Sequence, residues 1–121
     1  MIELIAHLAG DYVLQSHTMA IRKTTESKWA LIHAFFYGLP FLLLVSNPWQ
    51  WLVIVLTHAI IDRFKLADRW CRFYGVGHPG LWWSARDGEF PSPPPFLGVW
   101  LTIIVDNTAH LAINHLALRC L

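Results

Sequence analysis

Three times in this chain a histidine and an aspartate stand four residues apart inside an apolar stretch: His7 with Asp11, His58 with Asp62, and Asp106 with His110. Residues at this spacing lie on one face of an α-helix. Ionisable groups in apolar helices usually face the interior of a helical bundle, where they can pair with one another. The pairs therefore constrain the chain to an all-α fold in which polar helix faces meet inside.

The surroundings of these pairs are typical of a membrane protein. Hydrophobic residues make up 55% of the 121 residues and charged residues only 14%, whereas soluble domains carry roughly a quarter charged residues. The first segment has no positive n-region and contains Glu3 and Asp11, so we expect a retained helix and not a cleaved signal. A net charge of +1 gives no basic face for nucleic acid, and we expect no nucleic-acid partner.

Apolar periodicity and proline positions predict one domain, residues 1–121, that forms an integral membrane four-helix bundle. Pro48 suits the first turn of a helix, and the PSPPP run stops any helix before the fourth segment. The third helix should continue past the lipid as a stem and lead into a loop at residues 75–95. The predicted helices cover about residues 1–16, 28–46, 48–74 and 96–118.

Basic residues indicate the orientation, because cytoplasmic connections carry the excess of Lys and Arg. Arg22, Lys23 and Lys28 join the first two segments, and further basic residues join the last two. Both connections, including the extended stem and loop, should then be cytoplasmic, with both termini on the outer side. We expect membrane lipid as a partner, and the short first helix favours a homo-oligomer.

Imidazole and carboxylate side chains in facing helices are suitable ligands for a metal. Glu3, Gln15 and Asn114 extend the polar faces of the first and fourth helices and are candidates for a supporting role. We expect a divalent metal, zinc first, as one or two ions, with Mn, Fe or Ni as alternatives. The candidate ligands are His7, Asp11, His33, His58, Asp62, Asp106 and His110.

The candidate ligands fall into two groups by their predicted distance from the cytoplasmic ends of the helices. With a rise of about 1.5 Å per residue, Asp11, His33 and His58 lie about 8 Å from the cytoplasmic helix ends, and Asp62 lies near the mouth. His7 and Asp106 fall at about 14 Å and His110 at about 21 Å. The first four could meet, and the arrangement allows one elongated site or two neighbouring ions.

Four stretches carry a family resemblance: HLAGDYVLQ, LIHAFFYG, HAIIDRFK and DNTAHLAINHL. Over nearly the whole chain, they are similar to the small integral membrane proteins of domain-of-unknown-function family 3307, found in bacteria and phages. The resemblance implies a multi-pass protein of the bacterial inner membrane with an embedded site that includes the seven candidate ligands and Gln15. A looser similarity exists to inner-membrane proteins described as metal-dependent hydrolases.

Together these features favour a metal-dependent hydrolase acting on a lipid or another membrane-associated substrate, such as a lipid-linked phosphate ester. A metal-bound water would be the nucleophile, and Asp62, near the mouth, would be the general base. A metal or proton conduit remains an alternative, as does a small phage-type effector that binds a host membrane protein. The same His and Asp residues could also serve only to hydrogen-bond the helices together.

Overall fold

The computed structural model describes residues 1–76 and 94–121, and these residues are helical with no strand. The all-α prediction is therefore confirmed. Besides the α-helices there is a π-helix at Ala9–Val13 and a 3₁₀ turn at Pro40–Leu43. The α-helices are α1 Ile2–Leu8, α2 His17–Arg22, α3 Ser27–Gly38, α4 Pro48–Phe64, α5 Leu66–Tyr74 and α6 Pro95–Cys120. Most of the predicted loop at residues 75–95 lies outside the described residues.

These residues form two compact units. The first contains Met1–Phe64 and the end of α6, His110–Leu121. The second contains Lys65–Ala109, which includes α5 and the beginning of α6. All the contacts described below lie within the first unit.

Three helix boundaries differ from the sequence prediction. The first segment does not remain one α-helix, because the bond from Leu14 N to Ala9 O, 3.0 Å long, closes a wider π turn. α2 occupies part of a predicted connection, where Ser16 Oγ accepts from Met19 N and caps the helix. The predicted third helix is interrupted at Lys65, whose left-handed backbone (φ 50°) ends α4.

The join between α3 and α4 depends on small residues. Ala30, Ala34 and Gly38 recur every four residues along α3, and the two alanines are almost completely buried. A Cβ on Gly38 would lie 2.5 Å from Val55 Cγ2, so only glycine permits this approach. Trp51 Nε1 donates to Gly38 O at 2.8 Å, which satisfies a carbonyl at the end of α3. Small residues at this spacing are typical of helix pairs in membranes.

The beginning of α4 also contacts the last residues of α6 and of the chain. α4 begins at Pro48, as predicted, and Asn47 Oδ1 caps it by accepting from Gln50 N at 3.1 Å. Gln50 Nε2 donates to Leu118 O at 3.3 Å, and Asn47 Nδ2 donates to Leu121 O at 3.2 Å. The last turns of α6 are thereby held against the beginning of α4.

The interior combines an apolar core, which includes Tyr37, Phe41 and Ile54, with a group of buried polar side chains. The buried polar residues are His7, Asp11, His33, Gln50, His58, Asp62, His110 and Asn114. In contrast, large apolar side chains are exposed, among them Leu43 (89%) and Trp49 (70%). Among the described residues, only α6, over Phe96–Cys120, is both long and apolar enough to cross a membrane by length and composition.

Candidate metal centre

Four of the predicted ligands converge in the first unit, and we call them the Asp–His cluster: Asp11, His33, His58 and Asp62. Asp11 comes from the π-helix, His33 from α3, and His58 and Asp62 from successive turns of α4. All four side chains are buried, and one ligand atom from each lies within 4.8 Å of the other three. These are the four residues for which the helical rise predicts positions nearest the cytoplasmic end.

The spacing within the cluster matches the size of a metal ion. His33 Nε2 lies 3.0 Å from His58 Nε2 and 3.1 Å from Asp11 Oδ1. Asp62 Oδ2 lies 3.3 Å from His33 Nε2 and 3.2 Å from His58 Nε2. His58 Nε2 and Asp11 Oδ1 are farther apart, at 3.9 Å. With zinc–ligand bonds of about 2.0–2.1 Å, the corners of a tetrahedral site lie about 3.3 Å apart. The cluster could therefore hold a metal.

A lysine that sequence reasoning assigned only to topology contacts the cluster. Lys23 Nζ lies 2.8 Å from Asp62 Oδ2, 3.4 Å from Asp11 Oδ1 and 3.2 Å from His33 Nε2. Its side chain is 14% exposed, whereas the two carboxylates are 6% and 5% exposed. Lys23 therefore lies on the side of the cluster that opens to the outside. Its position directly after α2, a helix absent from the prediction, explains why it was missed.

His110 contacts the cluster from α6. Its Nδ1 lies 3.2 Å from His58 Nδ1, so one of these nitrogens must carry the hydrogen. If His58 offers Nε2 to a metal, its hydrogen is on Nδ1 and is donated to His110. The hydrogen of His110 is then on Nε2, which lies 3.7 Å from Asp62 Oδ1. His110 is thus placed to orient His58 and Asp62.

Behind His58 lies a second buried polar group. Asn114 Nδ2 donates to the Tyr37 hydroxyl at 2.6 Å, so the hydroxyl can donate to His7 Nδ1, 2.9 Å away. All three side chains are almost completely buried. His7, predicted as a ligand, contacts the Tyr37 hydroxyl, and Asn114, predicted as a supporting residue, donates to the same hydroxyl. Tyr37 was not predicted, although its position four residues after His33 places it on the same face of α3.

Glu3 and Gln15, the predicted supporting residues of the first helix, are not among the four side chains of the cluster. Glu3 Oε2 is 3.1 Å from His115 Nδ1 at an exposed edge, and Gln15 is half-buried with its Oε1 lacking a hydrogen-bond partner among the described residues. Asp106 lies one turn before His110 on α6, in the part of that helix that belongs to the second unit. The wider π turn between His7 and Asp11 explains why the predicted stripe from Glu3 to Gln15 is not continuous.

Comparisons with curated proteins and with solved structures found no match to the chain. The looser similarity to metal-dependent hydrolases consequently has no support from them. A family model described as "Protein of unknown function (DUF3307)" matches residues 1–78. The match includes the whole Asp–His cluster, Lys23 and Tyr37, but it ends before α6 and so covers less of the chain than the motifs suggested. With well over half of its length matched, the chain belongs to the DUF3307 family.

Proposed function

We propose that the Asp–His cluster binds a divalent metal, zinc in the first instance. The observation that carries this proposal is the set of five nitrogen and oxygen separations between 3.0 and 3.9 Å among the four side chains. Two imidazoles with two carboxylates form a ligand set that zinc accepts, and manganese, iron or nickel can use it as well. The two buried carboxylates carry two negative charges and the ammonium of Lys23 offsets one of them, so a divalent ion would compensate the charge that remains.

We further propose that the chain crosses a bacterial inner membrane several times, with the cluster at the cytoplasmic end. Support comes from the buried ionisable groups and the exposed Leu and Trp side chains. The same end of the first unit carries Arg22, Lys23, Lys28 and Arg63. Arg63 Nη1 donates to Thr24 O at 3.2 Å, which holds the basic connection against the end of α4. The positive-inside rule then places this end in the cytoplasm.

The reaction we propose is hydrolysis of a membrane-associated phosphate ester or diphosphate. His33, His58 and Asp11 would supply three protein ligands, the number typical of catalytic zinc, which activates a bound water. Asp62 would accept a proton from that water as its oxygen attacks phosphorus. The phosphorus–oxygen bond to the leaving group breaks, and the proton is then passed to the departing oxygen. His110 Nε2 lies 3.7 Å from Asp62 Oδ1, so the proposed base has an imidazole beside it.

The test separates metal binding from turnover. Full-length protein in detergent is analysed for zinc and assayed for phosphate release from short-chain phosphatidic acid and from farnesyl diphosphate. We expect Asp62→Asn to retain zinc and lose turnover, and His33→Gln to lose both. The exposed His17→Gln is the matched control and should change neither. Zinc-loaded protein that releases no phosphate from either compound would contradict the hydrolase assignment.

A metal conduit is the second candidate, and the number of ligands favours it. If all four side chains coordinate one ion, a tetrahedral metal has no open position for water. A conduit predicts zinc flux into proteoliposomes that is lost in His58→Gln, with no release of phosphate. The hydrolase predicts the opposite result in both measurements.

A further inference from the structure

The ammonium group of Lys23 bridges carboxylates from two different elements, Asp11 on the π-helix and Asp62 on α4. It also contacts His33 Nε2. Its nitrogen lies 2.8 to 3.4 Å from these three ligand atoms, which is longer than a metal–ligand bond of about 2.0–2.2 Å. Lys23 therefore lies beside the position that a metal would occupy, and not in it.

Charge counting shows what Lys23 contributes once a metal is bound. The two carboxylates and one ammonium sum to −1 with neutral imidazoles, so a divalent ion brings the centre to +1. Without Lys23, the same metal centre would be neutral. A buried centre with a net positive charge attracts an anion, and the charge of the ion itself dominates such a site.

The Lys23 side chain is more exposed than the imidazoles of the cluster. Lys23 is 14% exposed, whereas the side chains of His33 and His58 are 0% and 1% exposed. A ligand approaching the cluster from this side meets the ammonium group first. Lysine is a compact charge on a flexible stem and a common phosphate-binding residue.

From these observations we infer that Lys23 is the substrate's anion-binding group, and that the substrate class is a phosphate-bearing molecule. The inference rests on the proposed metal site. In the metal-free protein the carboxylates hold the ammonium. When a divalent ion neutralises them, the ammonium is repelled by the ion and turns to a phosphate oxygen. The phosphate can belong to a lipid headgroup or to a soluble ester.

Lys23 then has opposite effects on the two ligands. It repels the metal, so Lys23→Gln should bind zinc at least about tenfold more tightly. It attracts phosphate, so the same variant, loaded with zinc, should bind phosphate at least about tenfold more weakly. If Lys23 had a purely structural role, Lys23→Gln would weaken both zinc binding and phosphate binding.

The experiment uses full-length protein in detergent and calorimetric titration of zinc, then of methyl phosphate or dihexanoyl phosphatidic acid. Lys28→Gln, at an exposed lysine in the first turn of α3, is the matched control and should resemble wild type in both titrations. Lys23→Arg keeps the charge and should retain phosphate binding. Wild-type protein should bind phosphate only after zinc is loaded, which tests the inference even if Lys23→Gln does not fold.

The two phosphate probes distinguish the sources, and either pattern of binding supports the inference. Equal binding of both indicates recognition of phosphate alone, and binding of the lipid only indicates a headgroup. Zinc binding by wild type without any phosphate binding overturns the inference and leaves the metal site intact. Phosphate binding without zinc, or weaker zinc binding in a folded Lys23→Gln, also overturns it. If wild-type protein binds no zinc, the metal site fails, and the inference fails with it.

Discussion

The phenol ring of Tyr37 lies flat against the imidazole of His58, with ring centroids 3.6 Å apart and planes 12° apart. The same phenol is held through its hydroxyl by Asn114 and His7. His58 is therefore oriented from two sides, by the Tyr37 ring and by the Nδ1 contact with His110. Supporting contacts of this kind fix the direction in which a histidine presents its ligand nitrogen.

Two substitutions of Tyr37 should separate the ring from the hydroxyl. Tyr37→Phe keeps the stacked ring and removes the hydrogen bonds, so we expect a loss of about 1–3 kcal/mol in unfolding free energy with zinc affinity nearly unchanged. Tyr37→Ala leaves a cavity beside His58 and should cost about 3–5 kcal/mol and weaken zinc binding. Denaturant unfolding in detergent measures the free energy of unfolding. Tyr74→Phe, at a half-exposed tyrosine, is the control, and equal zinc affinity in Tyr37→Ala and wild type would contradict this role.

His110 should influence metal binding without being required for it. His110→Ala removes the partner of His58 Nδ1, and the loss of such a partner typically lowers metal affinity about 10- to 100-fold. Zinc titration against a competing chelator measures the change. His115→Ala, at an exposed histidine on the same helix, should bind zinc as wild type does. Complete loss of zinc from folded His110→Ala would instead identify this residue as a ligand.

Gly10 determines how closely the π-helix approaches α3. A Cβ at this position would lie 2.6 Å from Tyr37 O and 2.9 Å from Tyr37 Cα, both backbone atoms that cannot turn aside. We expect Gly10→Ala to cost about 1–3 kcal/mol of stability and to weaken zinc binding by displacing Asp11. Val13→Ala, at a side chain that is 78% exposed in the same π-helix, should stay within about 0.5 kcal/mol of wild type. A Gly10→Ala protein as stable as that control would be evidence against the close approach.

The membrane orientation can be tested with single cysteines. In a background where Cys71 and Cys120 are replaced by alanine, a cysteine at Glu26 should react with an impermeant maleimide only after spheroplasts are permeabilised. A cysteine at Asn47 should react in intact spheroplasts. This pattern follows from the basic residues on either side of Glu26. Labelling at both positions in intact spheroplasts would contradict a span between them.

The all-α fold and the four residues of the Asp–His cluster could be predicted from the sequence. The residues that contact the cluster could be predicted less well. Helix rise and proline positions predict that Asp11, His33 and His58 lie at similar depth, with Asp62 near the mouth, and the structure brings these four side chains together. His7 was assigned to the same stripe as Asp11, and no periodicity shows in advance that the helix widens at Ala9–Val13. A prediction from the periodicity of polar residues assumes a constant number of residues per helical turn. A π turn contains more residues than an α-helical turn, so the prediction fails there.

Lys23 and the interruption at Lys65 were missed for different reasons. A lysine among other basic residues between apolar segments is typical of a topology signal, and only the fold of α2 brings it to the cluster. Lys65 adopts a left-handed conformation that side-chain identity does not favour. Tertiary contacts therefore determine where the Lys23 side chain lies and which backbone conformation Lys65 adopts.

The zinc content of the purified protein tests the central claim most directly. Full-length protein, prepared in detergent and dialysed against a weak chelator, should contain about one zinc per chain, as expected for a tetrahedral site. His33→Gln and Asp11→Asn should contain none. The controls His17→Gln, at an exposed histidine, and Asp68→Asn, at a partly exposed aspartate on α5, should match wild type. Folded wild-type protein that takes up neither zinc nor manganese, iron or nickel under these conditions would contradict the metal centre.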